Sequence, residues 1–419
     1  MGLSFVLLCF VFFAFHRIPM HASKGASHGL SRIYRHAYFE HSDYVPLLFY
    51  STSVFQEMQH RHQTNRLIHQ CGTLIVDHCG TKNNNDEYVS PSTSIVSKSI
   101  QSANAYNIQV KRMCATVLEQ TYPCFNVFDP KLQGVLEPTG GFVCPELAIQ
   151  LALRDAISIS AAASSSVKGG GLNILYNTQV VSIEPQERSG RGFMVKVKST
   201  SNSSECSSPC CYYTADCVIV TVGSWTSSLL PSLQKYLKVT RQIQAWFEPP
   251  IHRLHQFSSP LSPTWYLCRG EGQPGLYGIP CNAVMNPNQP IWYKVALHGR
   301  NDPIMDQKQI GEKNAARPVS PEELEELKSV VAQWISCAPD RFVHAIPCTY
   351  TSTDDGHFIV DSMCRHDNTI SSSLLCVAGL SGHGFKMVPA LGKAVVDLAM
   401  DGVTSLPIKF LGLDRFKKE

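Results

Sequence analysis

At 419 residues the chain is long enough for two domains, and 44% hydrophobic with 16% charged residues is ordinary for a globular protein and unlike a disordered or fibrous one. The formal net charge is only +3, and no basic stripe or charge run marks a nucleic-acid partner. The 16 cysteines are scattered rather than spaced as a framework, so buried free thiols are expected.

The chain opens on an apolar run, Leu3 to Phe15, followed by His16 and Arg17. Next comes Ser27-His-Gly-Leu-Ser-Arg-Ile-Tyr-Arg35. Val54 to Cys71 and Ser94 to Tyr106 read as helices, the first with apolar residues at Val54, Phe55, Met58 and Leu67. After Gly140-Gly141, Leu147 to Ile157 carries a helix that runs into a Ser/Ala tract. A short buried strand follows at Leu172 to Tyr176, and Val180-Val181 continues the core. Phe193 to Val197 and Cys217 to Val222 read as strands of one sheet, the latter ending at the turn Gly223-Ser-Trp225. The cluster Cys206, Cys210, Cys211 and Cys217 lies in a Ser-rich loop without the two clear pairs that a zinc site needs, so no metal site is expected.

From Val239 to His298 the pattern changes to strands with aromatic and proline punctuation, as in an antiparallel sheet with long loops. A helix with Ser320 as N-cap and acids in its first turn spans Pro321 to Ile335. Near the end, Ile346-Pro-Cys-Thr-Tyr-Thr-Ser-Thr-Asp-Asp-Gly-His-Phe-Ile-Val-Asp361 precedes the apolar strand Leu374 to Ala378. Gly379-Leu-Ser-Gly-His-Gly-Phe-Lys-Met387 then opens a helix whose apolar stripe is Met387, Val388, Leu391, Val395, Val396 and Leu398. Glycines at a strand-to-helix turn let backbone approach a ligand, and the helix start favours negative charge. A packed strand, turn and helix beside a buried cysteine would read the same way.

Both C-terminal stretches resemble the monomeric sarcosine oxidase, pipecolate oxidase and N-methyltryptophan oxidase family of FAD enzymes. The resemblance covers roughly residues 24 to 405. It implies an α/β (α+β) fold in which an FAD-binding Rossmann-like lobe, incomplete at its N-terminus, is interleaved with an antiparallel-sheet substrate lobe. The FAD lobe would comprise 24–50, 140–230 and 345–405, the substrate lobe 51–139 and 231–344, and the tail 406–419. The Cys-x-Tyr-Thr segment implies covalent FAD through Cys348, and Ser-Gly-His-Gly-Phe-Lys implies that Lys386 meets the substrate carboxylate. The first motif resembles Ser-His-Gly-x-Ser-Arg-Ile-x-Arg, which brings Ser27, His28 and Arg32 to the flavin and Arg35 to the carboxylate. Tyr277-Gly-Ile-Pro280 and Lys294-Val-Ala-Leu-His-Gly299 resemble the substrate strand and the lysine that promotes oxygen reduction. His298 and Tyr350 would tune and line the pocket. Val180, Gly223, Trp225, Gly379, Gly382, His383, Gly384 and Phe385 would complete the cofactor contacts. A bidentate arginine suits a planar acid and lysine acts as a point charge, so Arg35 and Lys386 would clamp the acid.

The family's opening strand, Gly-x-Gly-x-x-Gly turn and helix are missing: before Lys24 the only glycine is Gly2. The apolar run is shorter than the about 18 residues of a membrane span, and as a secretory signal it lacks a preceding Lys or Arg and a good cleavage site. The favoured reading is an unrelated leader, residues 1–23, in place of the first βαβ unit. The expectation is an oxidase of sarcosine, other N-methyl amino acids, L-pipecolate or L-proline that passes electrons to dioxygen and releases hydrogen peroxide, acting as a monomer without nucleic acid. The alternatives are a silent relative unable to hold FAD, or a flavin dehydrogenase. Relatives suggest a peroxisomal or cytoplasmic address, but the chain ends Lys-Lys-Glu, and the leader keeps secretion or membrane anchoring open.

Overall fold

The structure, a computed structural model, describes residues 4–8, 11–16, 26–78, 81–82, 88–89, 93–127, 129–164, 171–186, 192–199, 210–259, 261–270, 272–280, 291–300, 317–366 and 369–417. The Cys206 end of the cysteine cluster, residues 17–25 and the loop 281–290 lie outside them.

Two larger sheets dominate. One runs in the order Gly171–Tyr176, Val11–His16, Ser4–Leu8, Val218–Val220, Thr369–Ala378 and Ile359–His366. The other has eight strands: Phe342–Ser352, Lys238–Phe247, Tyr293–His298, Gly275–Ile279, Thr264–Leu267, Thr73–His78, Leu132–Glu137 and Lys111–Cys114. A small sheet joins Arg32–Tyr34 to Gly141–Val143 and Ile68–Gln70. The mixed helix and sheet class agrees with the sequence.

The apolar opening is not outside the fold. Ser4–Leu8 and Val11–His16 pair antiparallel, the first lies against Val218–Val220, and the second runs parallel to Gly171–Tyr176. They occupy central positions in the order of the sheet.

Several elements differ from the sequence reading. The helix expected at 54–71 is Tyr44–Arg61, and Ile68–Gln70 is a strand. Pro46 is tolerated in the first helical turn, where a missing N–H costs nothing, and Tyr44, Val45, Leu47 and Leu48 bury against the C-terminal helix. Phe193–Ser199 and Val218–Val220 belong to different sheets; they read alike because both feed one core cluster. Gly171–Tyr176 is half-buried rather than buried. Cys348, assigned to the FAD lobe, sits in the eight-stranded sheet opposite Gln242. The helices Ile95–Ala105 and Pro321–Trp334 follow the sequence, the second with a full capping box from Ser320 and Glu323.

Candidate active site

Strand alternation builds the site. Successive side chains of a strand point to opposite faces. On Tyr293–His298, Tyr293, Val295 and Leu297 enter the core, which turns Lys294 and His298 to the other face. On Lys238–Phe247, Ile243, Ala245 and Phe247 do the same, leaving Gln242, Gln244 and Trp246 beside Lys294 and Cys348. Tyr277, Cys348 and Tyr350 arrive on this face from neighbouring strands. A cavity of about 810 Å³ opens over it, and its wall includes Ser27, Arg32, Arg35, Tyr277, His298, Cys348 and Tyr350.

The glycine turn closes the cavity from the six-stranded sheet. Gly379, Gly382, His383, Gly384, Phe385 and Lys386 all line it, as do Gly223 and Trp225. Gly382 has φ +77°, and a Cβ there would lie 2.3 Å from the Tyr350 ring. Only glycine allows this approach. The helix does not start at the glycines: a 3-10 turn, Phe385–Met387, precedes Val388–Asp401. Met387, Leu391 and Val395 are buried, whereas Val396 is 46% exposed on the cavity wall.

Arg35 and Lys386 both reach the cavity, and Arg35 is already engaged. Its Nη2 donates to both oxygens of Glu40 at 2.8 and 2.7 Å, its Nη1 donates to the Ala37 carbonyl at 3.0 Å, and its guanidinium lies 4.1 Å from the Tyr38 and Phe39 ring centres. Burial would raise the Glu40 carboxyl, but Arg35, His383 and Lys386 together hold it below its usual range. Burial, assisted by Arg35, brings the Lys386 ammonium down to about 7. Its Nζ donates to the His383 carbonyl at 3.1 Å. An acid entering here competes with Glu40 for Arg35.

The surrounding polar groups are held in their neutral forms. Burial lowers His298 to about 4 and His383 to about 3, and raises Tyr277 to about 12. His298 Nδ1 lies 3.2 Å from the Tyr350 hydroxyl, which is hydrogen-bonded to Tyr277. His383 Nε2 donates to the Gly356 carbonyl at 3.0 Å, so Nδ1 accepts from the Tyr38 hydroxyl at 2.7 Å.

Three residues sit differently from the sequence expectation. Lys294 is behind the wall: its Nζ donates to the carbonyls of Gly29 and Ser31 at 2.7 and 3.0 Å, and burial followed by Arg32 pushes its pKa well down. His28 is also set back, with Nε2 at 2.9 Å from the Pro347 carbonyl. Val180 lies on Thr178–Pro185, packed against a separate core cluster rather than on the cavity. Arg32 lines the cavity, yet its guanidinium donates to the Ala26, His28 and Ser31 carbonyls. Sequence reasoning missed Glu40, Gln242 and Gln244. A signal existed for the last two: polar residues at alternate positions of an otherwise apolar strand.

A flavin tests this wall in two parts. One part suits it: the glycine turn permits close approach, and the buried Ser27 and Thr221 hydroxyls on the wall lack a protein partner among the described residues. The distal wall is Ala156, Ile159, Leu172, Ile219, Val388 and Leu391. Among the described residues these six bring no cation, and Ser4–Leu8 pairs with the antiparallel strand Val11–His16.

A monomeric sarcosine oxidase of Streptomyces avermitilis is 27% identical over 93% of this chain and 87% of its own. An N-methyl-L-tryptophan oxidase of Salmonella typhimurium is 25% identical over 96% and 91%. The solved structure of NikD, an unusual amino acid oxidase essential for nikkomycin biosynthesis, in its open form shares the fold with a TM-score of 0.68 at 18% identity, covering 96% of this chain and 90% of that one. Among the described residues, no helix is long and apolar enough to cross a membrane. The profile of the FAD dependent oxidoreductase family matches residues 15–398, and the chain belongs to that family.

Proposed function

We propose that this chain oxidises small secondary-amine amino acids, such as sarcosine, other N-methyl amino acids, L-pipecolate or L-proline, with FAD attached through Cys348 and dioxygen as electron acceptor. The observation that carries the reading is the meeting of Arg35 and Lys386 in one cavity with Cys348 and the glycine turn. Family-level oxidation of N-methyl amino acids agrees with the named relatives.

When bound, the flavin supplies the two-electron acceptor. Cys348, Ser27, Thr221 and the backbone at Gly382 and Gly384 would hold its ring end. Arg35 and Lys386 bind the acid, Lys386 as a point charge and Arg35 as a planar fork shared with Glu40. Tyr277, Tyr350 and neutral His298 form a buried wall that excludes water from the amine. The substrate loses a hydride from carbon and a proton from nitrogen, the imine is hydrolysed outside the chain's own chemistry, and two electrons with two protons convert dioxygen to hydrogen peroxide. Lys294, buried and tied to the Gly29–Ser31 loop, would favour negative charge developing on oxygen by taking up a proton as that charge forms. Lys294→Met should slow reoxidation by oxygen and leave anaerobic reduction by substrate intact; equal loss in both half-reactions would remove that role.

The test of the whole reading is peroxide release with sarcosine, L-pipecolate and L-proline by the yellow protein, against none with the corresponding amides. Activity independent of the carboxylate would refute the clamp. A second reading, a silent relative, draws on the apolar distal wall; it predicts protein that stays colourless after incubation with FAD.

A further inference from the structure

We propose that Glu137 is a positioning residue for the acid-binding arm: it anchors the turn that follows Arg35, so that the guanidinium is presented to the cavity without Glu137 touching the substrate. The inference rests on the proposed binding of a substrate carboxylate by Arg35 and Lys386.

Glu137 ends the strand Leu132–Glu137, where it pairs with Thr73, and it is 2% exposed. A carboxylate in such a place must have its lone pairs satisfied. Here the donors come from two segments, the turn after Arg35 and the turn that follows Glu137 itself. The His36 N–H lies 3.0 and 2.8 Å from its two oxygens, the Ala37 N–H donates to Oε2 at 2.8 Å, and the Thr139 hydroxyl donates to Oε1 at 3.0 Å. The His36 Nδ1 is 2.8 Å from Oε1, and because a carboxylate only accepts, Nδ1 carries the proton. Burial would raise the Glu137 carboxyl, but the His36 ring and these backbone N–H groups hold it below its usual range.

The turn held in this way is the one that positions Arg35. The Ala37 carbonyl accepts from Arg35 Nη1, while the Thr73 hydroxyl, from the neighbouring strand, donates to the Tyr34 carbonyl at 3.0 Å. His36 Nε2 lies 3.0 Å from the Thr52 hydroxyl, and its ring stacks on Phe49 at 4.7 Å. The segment 34–37 is therefore fixed to the eight-stranded sheet by Glu137 and Thr73, and to the helix Tyr44–Arg61 by His36. Arg35 and Glu40 leave this fixed segment as a pair.

The experiment is Glu137→Gln, which keeps the volume but replaces one acceptor oxygen with an NH₂ group that faces the same N–H donors. On flavin-loaded protein, KM for sarcosine should rise about tenfold or more while kcat stays within about threefold, and kcat/KM for sarcosine methyl ester should stay at the wild-type value. Calorimetric binding of acetate should weaken by the same factor as the KM change, with flavin content per chain unaltered. Equal losses for acid and ester, or an unchanged KM, would overturn the proposal. If Glu137→Gln does not fold, Thr139→Val, which removes one donor to Oε1, decides: a smaller rise in the acid KM alone supports it and no change overturns it. Arg35→Gln separates the two levels. If that variant leaves the acid KM unchanged, the clamp itself fails; if it raises KM and Glu137→Gln does not, only the positioning role fails.

Discussion

The two ends of the cavity are built by opposite means. At the Cys348 end, strand alternation in the eight-stranded sheet, a glycine turn from the other large sheet and the Arg35 turn converge, and the paired groups Arg35–Glu40 and His298–Tyr350 stand beside the Ser27 and Thr221 hydroxyls, which have no protein partner among the described residues. At the distal end the wall is aliphatic, and Ile159 and Val396 are 67% and 46% exposed. The cations on the described wall, Arg32, Arg35 and Lys386, all accompany the polar end. Polar groups are therefore concentrated at the end where the oxidation is proposed, and Ser4–Leu8 and Val11–His16 complete the six-stranded sheet as an antiparallel pair.

The largest effect is expected at the acid clamp. Lys386→Met removes a charge-assisted contact of about 1.5–3 kcal/mol, so KM for the acid should rise roughly 10- to 150-fold, with flavin content unchanged. A variant with wild-type KM would mean that the polar end does not bind the acid through Lys386. Next in size is Gly382→Ala. A methyl pressed onto the Tyr350 ring at positive φ should cost about 1–3 kcal/mol and lower the thermal midpoint, which calorimetry reads directly.

The pH response sharpens the same end. Lys386 attracts a carboxylate only while protonated, and its folded value is brought down to about 7. Acid affinity should be full below that pH and fall as pH rises through it, by up to about tenfold per unit. Lys386→Met should flatten this limb; a profile flat in the parent protein from pH 6 to 9, as an approximate window, would contradict the shift. The distal end should give the smallest effect. Riboflavin and FAD should bind within about tenfold of each other, and ADP should not displace either, because the distal wall, among the described residues, presents no cation to a diphosphate. Displacement by ADP would show that the distal end recognises it after all.

Much of the polar end was legible in the sequence because its residues are the kind that a fold does not need in a core: Cys348 with Tyr350, the closely spaced glycines of Gly379–Lys386, and Arg32 with Arg35. Their convergence was not legible, since it depends on the register that sets Gln242 opposite Cys348 and Trp246 opposite Lys294. Glu40 escaped notice because a carboxylate near an arginine in sequence is an everyday surface pair until burial makes it a competitor. Lys294 and His28 were expected at the cavity and stand behind it, because backbone carbonyls of the neighbouring segments capture their side chains. The leader was set aside since apolar residues without glycines match no dinucleotide turn, yet strand pairing asks only for apolar side chains and free backbone groups.

The central claim is that flavin is held from the polar end, through Cys348. Its most direct test is the visible spectrum of the purified chain and of Cys348→Ala, each precipitated with acid and centrifuged. Attachment through Cys348 predicts yellow colour in the pellet of the parent protein and, for the variant, colour only in the supernatant or none at all. A parent pellet without colour, with all flavin released to the supernatant, would contradict it.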